Sequence, residues 1–290
     1  MIATTLYNDP ACPWGYSASP ALSVLRWRYR DQLAWRLVMI GLRDEIDQRE
    51  AEAYPPARQA QGRLNFRERF GMPIAVDPPE RPVPTGPACR AVVATRLAHP
   101  GRETAAMRAL QFAWFTTKAP LDEVVAIEQA LARVAGIDAK AVAGAIDSPE
   151  VSAAYAADKA DARSAAGGAT EFQGKAANSD GLVRYTAPSI IFELDGKRLE
   201  VGGFQPIEAY DVAIANLDTG LERTPPPDGP LPLLEYFSEG LTTQEVAALL
   251  AGNLVVPDRN GAEGALIELV GSGVATREPL GDDALWHIPS

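Results

Sequence analysis

The residues best suited to chemistry lie near the start of the chain, in Asp9-Pro10-Ala11-Cys12-Pro13-Trp14-Gly15-Tyr16. Cys12 follows a strand-like run, Ile2 to Tyr7, and directly precedes Pro13. Proline's fixed φ and missing N–H suit a first helical position. A helix start gathers unpaired N–H groups and the positive end of the helix dipole, and both stabilise an anion. A thiol there is expected to ionise more readily than a free cysteine, and thiolate is the species that attacks disulfides and electrophiles. The bland alternative is that Cys12 caps the helix or fills space. Cys89, the other cysteine, opens a helix after Pro82-Val83-Pro84-Thr85-Gly86-Pro87; on residue type alone it is a small buried hydrophobe. Trp14 and Tyr16 either shape a pocket for the thiol or anchor the first helix. His99, before Pro100-Gly101, reads as a helix-end cap, and Asp122-Glu123 and Asp282-Asp283 read as solvated charges. Two histidines and two cysteines make neither a His-rich metal site nor a disulfide framework.

The elements that must hold Cys12 follow from periodicity. Ile2 to Tyr7 is β-branched and aromatic and stops at Asn8-Asp9-Pro10, so a strand leads into the cysteine. Leu22, Leu25 and Tyr29 recur at helical spacing, which predicts a helix over 13–30. Leu33, Trp35, Leu37 and Met39 alternate, predicting a second strand to about Leu42, and strand–helix–strand is a right-handed crossover by default. Beyond it the chain is rich in Ala, Glu, Arg and Gln. Helices are expected near 50–70, 88–98, 102–117, 121–135, 138–147 and 149–166. Strand character returns at Tyr185 and through Ser189 to Leu194. Asp195-Gly196 is the strongest hairpin signal in the chain, Leu199 to Val201 supplies the return strand, and a helix follows from about Pro206 to Leu217. Thr224-Pro225-Pro226-Pro227-Asp228-Gly229-Pro230 is a semi-rigid linker. After it, Thr242 with Glu245 forms a capping box, Asn260 with Glu263 resembles another, and Gly273 to Ile288 reads as a hairpin with Trp286 beneath it.

With these elements in place, Cys12-Pro13-Trp14-Gly15 resembles the Cys-Pro-Trp-Cys site of DsbA-like thioredoxin-fold proteins, with Gly15 where the second cysteine stands. The preceding strand, the helical insertion after the second strand and the Thr186-Ala187-Pro188 segment entering a strand all fall in that family's order, over residues 2–217. The resemblance implies an α/β thioredoxin-like domain formed by 1–43 and 169–222, interrupted by an α-helical insertion domain over 44–168. A small winged-helix-like domain is expected over 231–290. The resemblance further implies that Pro188 is cis and faces Cys12, and that Thr186, Ala187 and Pro188, with Pro13 and Trp14, bind the substrate. In the related 2-hydroxychromene-2-carboxylate isomerases and kappa-class glutathione transferases, a proline-containing entry to a helix lines the thiol site. Cys89 is therefore a candidate remote resolving or pocket cysteine. Without a cysteine at position 15, Cys12 cannot close a local ring, and a mixed disulfide at Cys12 needs a second thiol for release.

Composition limits the partners. A formal charge of −11 disfavours a broad nucleic-acid or anionic membrane surface. The C-terminal unit carries nine acidic residues against only Arg259 and Arg277, so it is expected to pack on the thioredoxin-like unit or to form a homodimer surface. No signal-peptide pattern or membrane-length apolar run occurs, and cytoplasm is the expected compartment. Three functions fit. The first is a monothiol oxidoreductase or thiol-transfer protein acting on a protein or small-molecule thiol or disulfide, with Cys12 as nucleophile and no tightly bound cofactor. The second is an isomerase or transferase using a low-molecular-weight thiol of the glutathione type. The third is a non-catalytic thioredoxin scaffold for protein binding.

Overall fold

The computed structural model describes residues 1–47, 52–53, 55–179 and 181–289. Its central sheet has the order β2-β1-β5-β6, with β1 (Ile2–Asn8), β2 (Leu33–Met39), β5 (Ser189–Leu194) and β6 (Lys197–Gly202). β1 and β2 run parallel, in register from Ile2 with Leu33 to Asn8 with Met39. β1 and β5 are antiparallel, with Leu6 opposite Ile190. The crossover between β1 and β2 is helical, but not continuously. α1 (Pro13–Ser17) and α2 (Ser19–Tyr29) are separated at Ala18. Pro20 explains the break, because a proline inside a helix lacks the N–H and crowds the preceding turn. The Asp195-Gly196 turn joins β5 to β6 with φ of 50° and 78°, the paired left-handed conformation that such a two-residue hairpin needs.

The insertion is a set of helices: α3 (Pro56–Phe70), α4 (Gly86–Ala98), α5 (Glu103–Thr116), α6 (Val124–Leu131), α7 (Ala139–Gly144) and α8 (Pro149–Ala162). The helix expected near 50–70 begins at Pro56, and its expected first turn lies partly outside the described residues. Short elements α9 (Ala169–Phe172), β3 (Ala176–Ala177) and β4 (Arg184–Tyr185) return the chain to β5. α10 (Ile207–Leu217) closes this part. The sheet and the inserted helices share one apolar core, in which Leu6, Leu25, Ile190 and Phe192 are packed with Val92, Leu110 and Ile127. No helix among the described residues is long and apolar enough to cross a membrane.

The last segment consists of α11 (Leu231–Tyr236), β7 (Leu241–Thr242), α12 (Thr243–Leu250), α13 (Arg259–Gly271) and the hairpin β8 (Thr276–Leu280)–β9 (Asp283–His287). Its small sheet has the order β7-β9-β8. Trp286 is fully buried at its centre, beside Val24 and Trp27 of α2. The Thr242/Glu245 capping box is present. The second cap differs from the sequence reading: Asp258 caps α13 by accepting from the Gly261 N–H, so Asn260 lies inside the helix. Asp282 and Asp283 are not free surface charges. Asp282 accepts from the Ile74 N–H, and Asp283 accepts from the Thr243 hydroxyl and pairs with Arg259.

Candidate active site around Cys12

Cys12 is the N-cap of α1, in extended conformation, directly before Pro13. Its Sγ–H donates to the Ala187 carbonyl at 3.2 Å, and the Ala187–Pro188 bond is cis. The strand-end loop and the proline entry to β5 therefore meet at the sulfur. Around it lie Tyr7, Val38, Ile40, Ala165, Tyr185 and Ile191, and Cys12 is only 4% exposed.

That enclosure reverses the expected acidity. Burial pushes the Cys12 thiol up to about 12, and the charge of nearby Asp9 adds to the rise. The N–H groups of Gly15 and Trp14 and the guanidinium of Arg184 pull the other way without prevailing. The helix start does favour the anion, as position predicts. Desolvation of a thiolate in an apolar cluster costs more than one short helix returns. α1 has five residues, and a helix that short has a weak dipole.

Asp9 is fully buried beneath the site. Its carboxylate accepts from the Ala11 and Leu42 N–H groups, the Thr85 hydroxyl and the Cys89 thiol. Cys89 is thus placed by a hydrogen bond to Asp9 at 3.4 Å; both cysteines are free thiols. Burial and the Asp9 charge also hold the Cys89 thiol well above the ordinary range. The proline-rich entry to α4 reaches this place because the Thr85 and Gly86 N–H groups bond to the Arg43 carbonyl. Thr186 is engaged internally: its hydroxyl donates to the Lys175 carbonyl and its carbonyl accepts from Ser189.

Of the two aromatic residues of the motif, Tyr16 takes the anchoring role. Tyr16 is buried, stacks on Phe115 at 4.6 Å and donates to the Pro73 carbonyl, so it anchors α1 to the inserted helices. Trp14 is 39% exposed and touches Phe66, Phe70 and Phe204. The Trp14 group lies at the surface two residues from the thiol.

Asn8 and Asp9 are the residues that sequence reading passed over. Asn8 is buried, and its Oδ1 accepts from the Asp9 N–H at 2.9 Å. A Cβ at position 15 would lie 2.0 Å from that Oδ1 and 2.9 Å from Asn8 Cγ. The space of a second motif cysteine is occupied by the Asn8 side chain, so Gly15 is a packing requirement. Their position in a polar strand-end turn, Asn8-Asp9-Pro10, is the one local signal for them. Gly15→Cys alone is expected to lower stability by about 1–3 kcal/mol through overpacking. Adding Asn8→Ala should recover part of that loss and allow the introduced sulfur to bridge to Cys12. Thermal melts and a thiol count after mild oxidation check both; a fully stable single variant that bridges readily would contradict the packing argument.

No protein-family model matches the chain, and no curated protein matches it by sequence. Solved structures do match. A candidate protein disulfide isomerase of Nitrosomonas europaea is 17% identical, with a TM-score of 0.56 over 74% of this chain and 96% of its own. A candidate DsbA oxidoreductase of Streptomyces coelicolor is 17% identical, with a TM-score of 0.55 over 78% of this chain and 92% of its own. The cytosolic disulfide reductase DsbM of Pseudomonas aeruginosa is 18% identical, with a TM-score of 0.51 over 75% of this chain and 97% of its own. The chain has the thioredoxin-like fold of DsbA-type proteins, with the helical insertion. These neighbours are almost fully covered while about a quarter of this chain is left over, a share that fits the unit beyond the proline linker.

Proposed function

We propose that the protein is a thiol–disulfide oxidoreductase in which Cys12 is the single exchanging sulfur. The observation that carries this reading is the placement of Sγ at the start of α1, 3.2 Å from the carbonyl that precedes Pro188. Names given to proteins of the same fold, disulfide isomerase and disulfide reductase among them, support the class of chemistry. Cys12 thiolate attacks one sulfur of a disulfide, forming a mixed disulfide and releasing the other sulfur as thiolate. A second thiolate then attacks the mixed disulfide, takes the substrate sulfur away and returns Cys12 to the reduced state. No internal ring closes at position 15, and Cys89 is engaged by buried Asp9, whose charge together with burial holds its thiol protonated, so in this reading the second thiol comes from outside or from a substrate.

Acidity bears on direction. Oxidants of this fold class depend on a stabilised reduced thiolate. Burial holds Cys12 up to about 12, which removes that stabilisation. The arrangement therefore favours reduction or thiol transfer over oxidation. Trapping supplies the test. Reduced protein incubated with a model disulfide should gain one adduct mass, mapped to the peptide containing Cys12, and Cys12→Ser should gain none. An adduct confined to Cys89, or none in either protein, contradicts the assignment.

The protonated state favours one second reading. A buried Sγ–H that donates to the Ala187 carbonyl can instead donate to the thiolate of a small thiol and hold it for isomerase or transferase chemistry. Retention of a low-molecular-weight thiol in native mass spectra, lost in Cys12→Ala and kept in Cys12→Ser, would favour it. Absence of binding by the common cellular thiols counts against it.

A further inference from the structure

A cavity of about 430 Å³ opens between the inserted helices and the C-terminal unit, on walls that include neither Cys12 nor any other residue of its motif. α5 supplies one wall through Ala105, Ala109 and Phe112, the turn after α6 supplies another through Val134, and β9 closes the far side with Leu285. Ion pairs tie the two units together around it. Arg133, just beyond α6, pairs with Glu278 on β8, and Arg108 on α5 pairs with buried Glu245 on α12. The space is thus built by the fold and needs no rearrangement to form.

Size and lining select an organic ligand. Small-molecule sites of this volume favour domain junctions and combine apolar walls with a few converging polar groups. An inorganic ion, comparable to a few waters of about 30 Å³ each, would leave most of the space wet. Charge selects the head group. Three guanidiniums line the cavity, those of Arg102, Arg108 and Arg133. Glu245 and Glu278 neutralise two of them, and the charge of Glu239, on the same lining, falls on Arg26 and Arg108. Arg102 has no carboxylate partner among the described residues. A Cβ on Gly136 would lie 3.4 Å from its Nη2, so this guanidinium sits against the turn that carries Val134. Arg108 gives its Nη groups to Glu245 and the Gly240 carbonyl and leaves Nε buried without a partner. An uncommitted fork of N–H donors beside an apolar cavity matches a carboxylate.

We propose that this cavity binds a small monocarboxylate with an apolar aryl or alkyl body, its carboxylate gripped by Arg102 and its body laid against Ala105, Phe112 and Val134. The site is separate from Cys12, so it stands or falls independently of the exchange chemistry. It also assigns the C-terminal unit a task, since Leu285 and Glu278 complete a pocket that the inserted helices leave open on that side. A ligand held between the two units stabilises the folded chain in proportion to its occupancy.

The test is isothermal titration calorimetry on the full chain with phenylbutyrate as the probe. Phenylbutyramide keeps the shape without the charge, and acetate keeps the charge without the body. Phenylbutyrate should bind about tenfold more tightly than the amide, the advantage of a hydrogen bond to a charged group, and acetate should bind more weakly than either. Arg102→Gln should bring the acid down to the affinity of the amide and leave the amide unchanged. Ala105→Phe, which fills the cavity from α5, should abolish binding of both. Arg102 is exposed and Ala105 is half-buried, so neither change opens the core, and a melt matching wild type verifies this for each. Equal affinities for acid and amide, or acid binding unchanged in Arg102→Gln, overturn the carboxylate assignment. No binding of phenylbutyrate to wild type, or binding that survives in Ala105→Phe, overturns the site.

Discussion

Alkylation of Cys12 in the folded protein is expected to accelerate about a thousandfold between pH 7 and pH 10, rising close to tenfold per pH unit without a plateau. The reason is arithmetic on one thiol. A group held up to about 12 is ionised to roughly one part in 10⁵ at pH 7 and one part in 10² at pH 10. An ordinary cysteine gains only about 30-fold over the same interval and then levels off. Iodoacetamide labelling, with the site read by peptide mass spectrometry, separates the two. A plateau below pH 9 would show that the sulfur is a low-pKa thiolate after all. The sign for stability follows the same shift. The folded value lies above the unfolded one, so the neutral thiol stabilises the fold below pH 9, and that contribution, at most about 4 kcal/mol, is lost as pH climbs from 9 toward 12. Cys12→Ser removes this dependence, and the difference between the two pH–stability curves isolates it.

Why the sulfur is basic could not be read locally, and this marks the boundary of what the sequence contained. Strand β1, the proline start of α1, the Asp195-Gly196 hairpin and the Thr242/Glu245 box are encoded within windows of a few residues, by β-branching, fixed φ and short-range hydrogen bonds. Each appears where its pattern places it. Periodicity also located the inserted helices, though the ends differ by a turn where a proline or a competing cap decides. Cys12 beside the Ala187–Pro188 bond was legible only through resemblance, since nothing local links Cys12 to Ala187, 175 positions on. Its enclosure was not legible. Ala165, Tyr185 and Val183 arrive from the far side of the insertion, and solvent exclusion by distant residues leaves no periodic trace. Gly15 carried half a message: the missing cysteine was visible, but Asn8 filling its space needs the register of strand and helix together. Asp9 resembled a turn residue, and its four hydrogen bonds come from three separate segments.

Glu245 shows the same limit with a larger energetic consequence. Within its own helix it is the third residue of a capping box, accepting from the Thr242 N–H and hydroxyl. Across the molecule it is also the fully buried partner of Arg108 on α5, which grips both carboxylate oxygens and the Gly240 carbonyl. Burial alone would raise the Glu245 carboxyl, yet Arg108 and Thr242 hold it below the ordinary range. Removing one member leaves the other charge buried and unpaired, so Arg108→Met is expected to destabilise the protein by about 3–5 kcal/mol. Arg108→Met with Glu245→Leu should cost less than the single change, because no stranded charge remains; what it still loses is the reciprocal half of the capping box, the acceptor for the Thr242 N–H, about 1 kcal/mol. The pair also sets an acid limit. With the folded pKa depressed, its contribution is present above the unfolded value of about 4.3 and lost as pH falls through the lower folded one. Since Val24 and Trp27 of α2 belong to the C-terminal core, the loss should appear in a single cooperative transition shared by tryptophan fluorescence and far-ultraviolet circular dichroism. A separate early transition in Arg108→Met would mean that the C-terminal unit unfolds on its own, and a melt superimposable on wild type would mean that it is held to α5 by apolar packing alone.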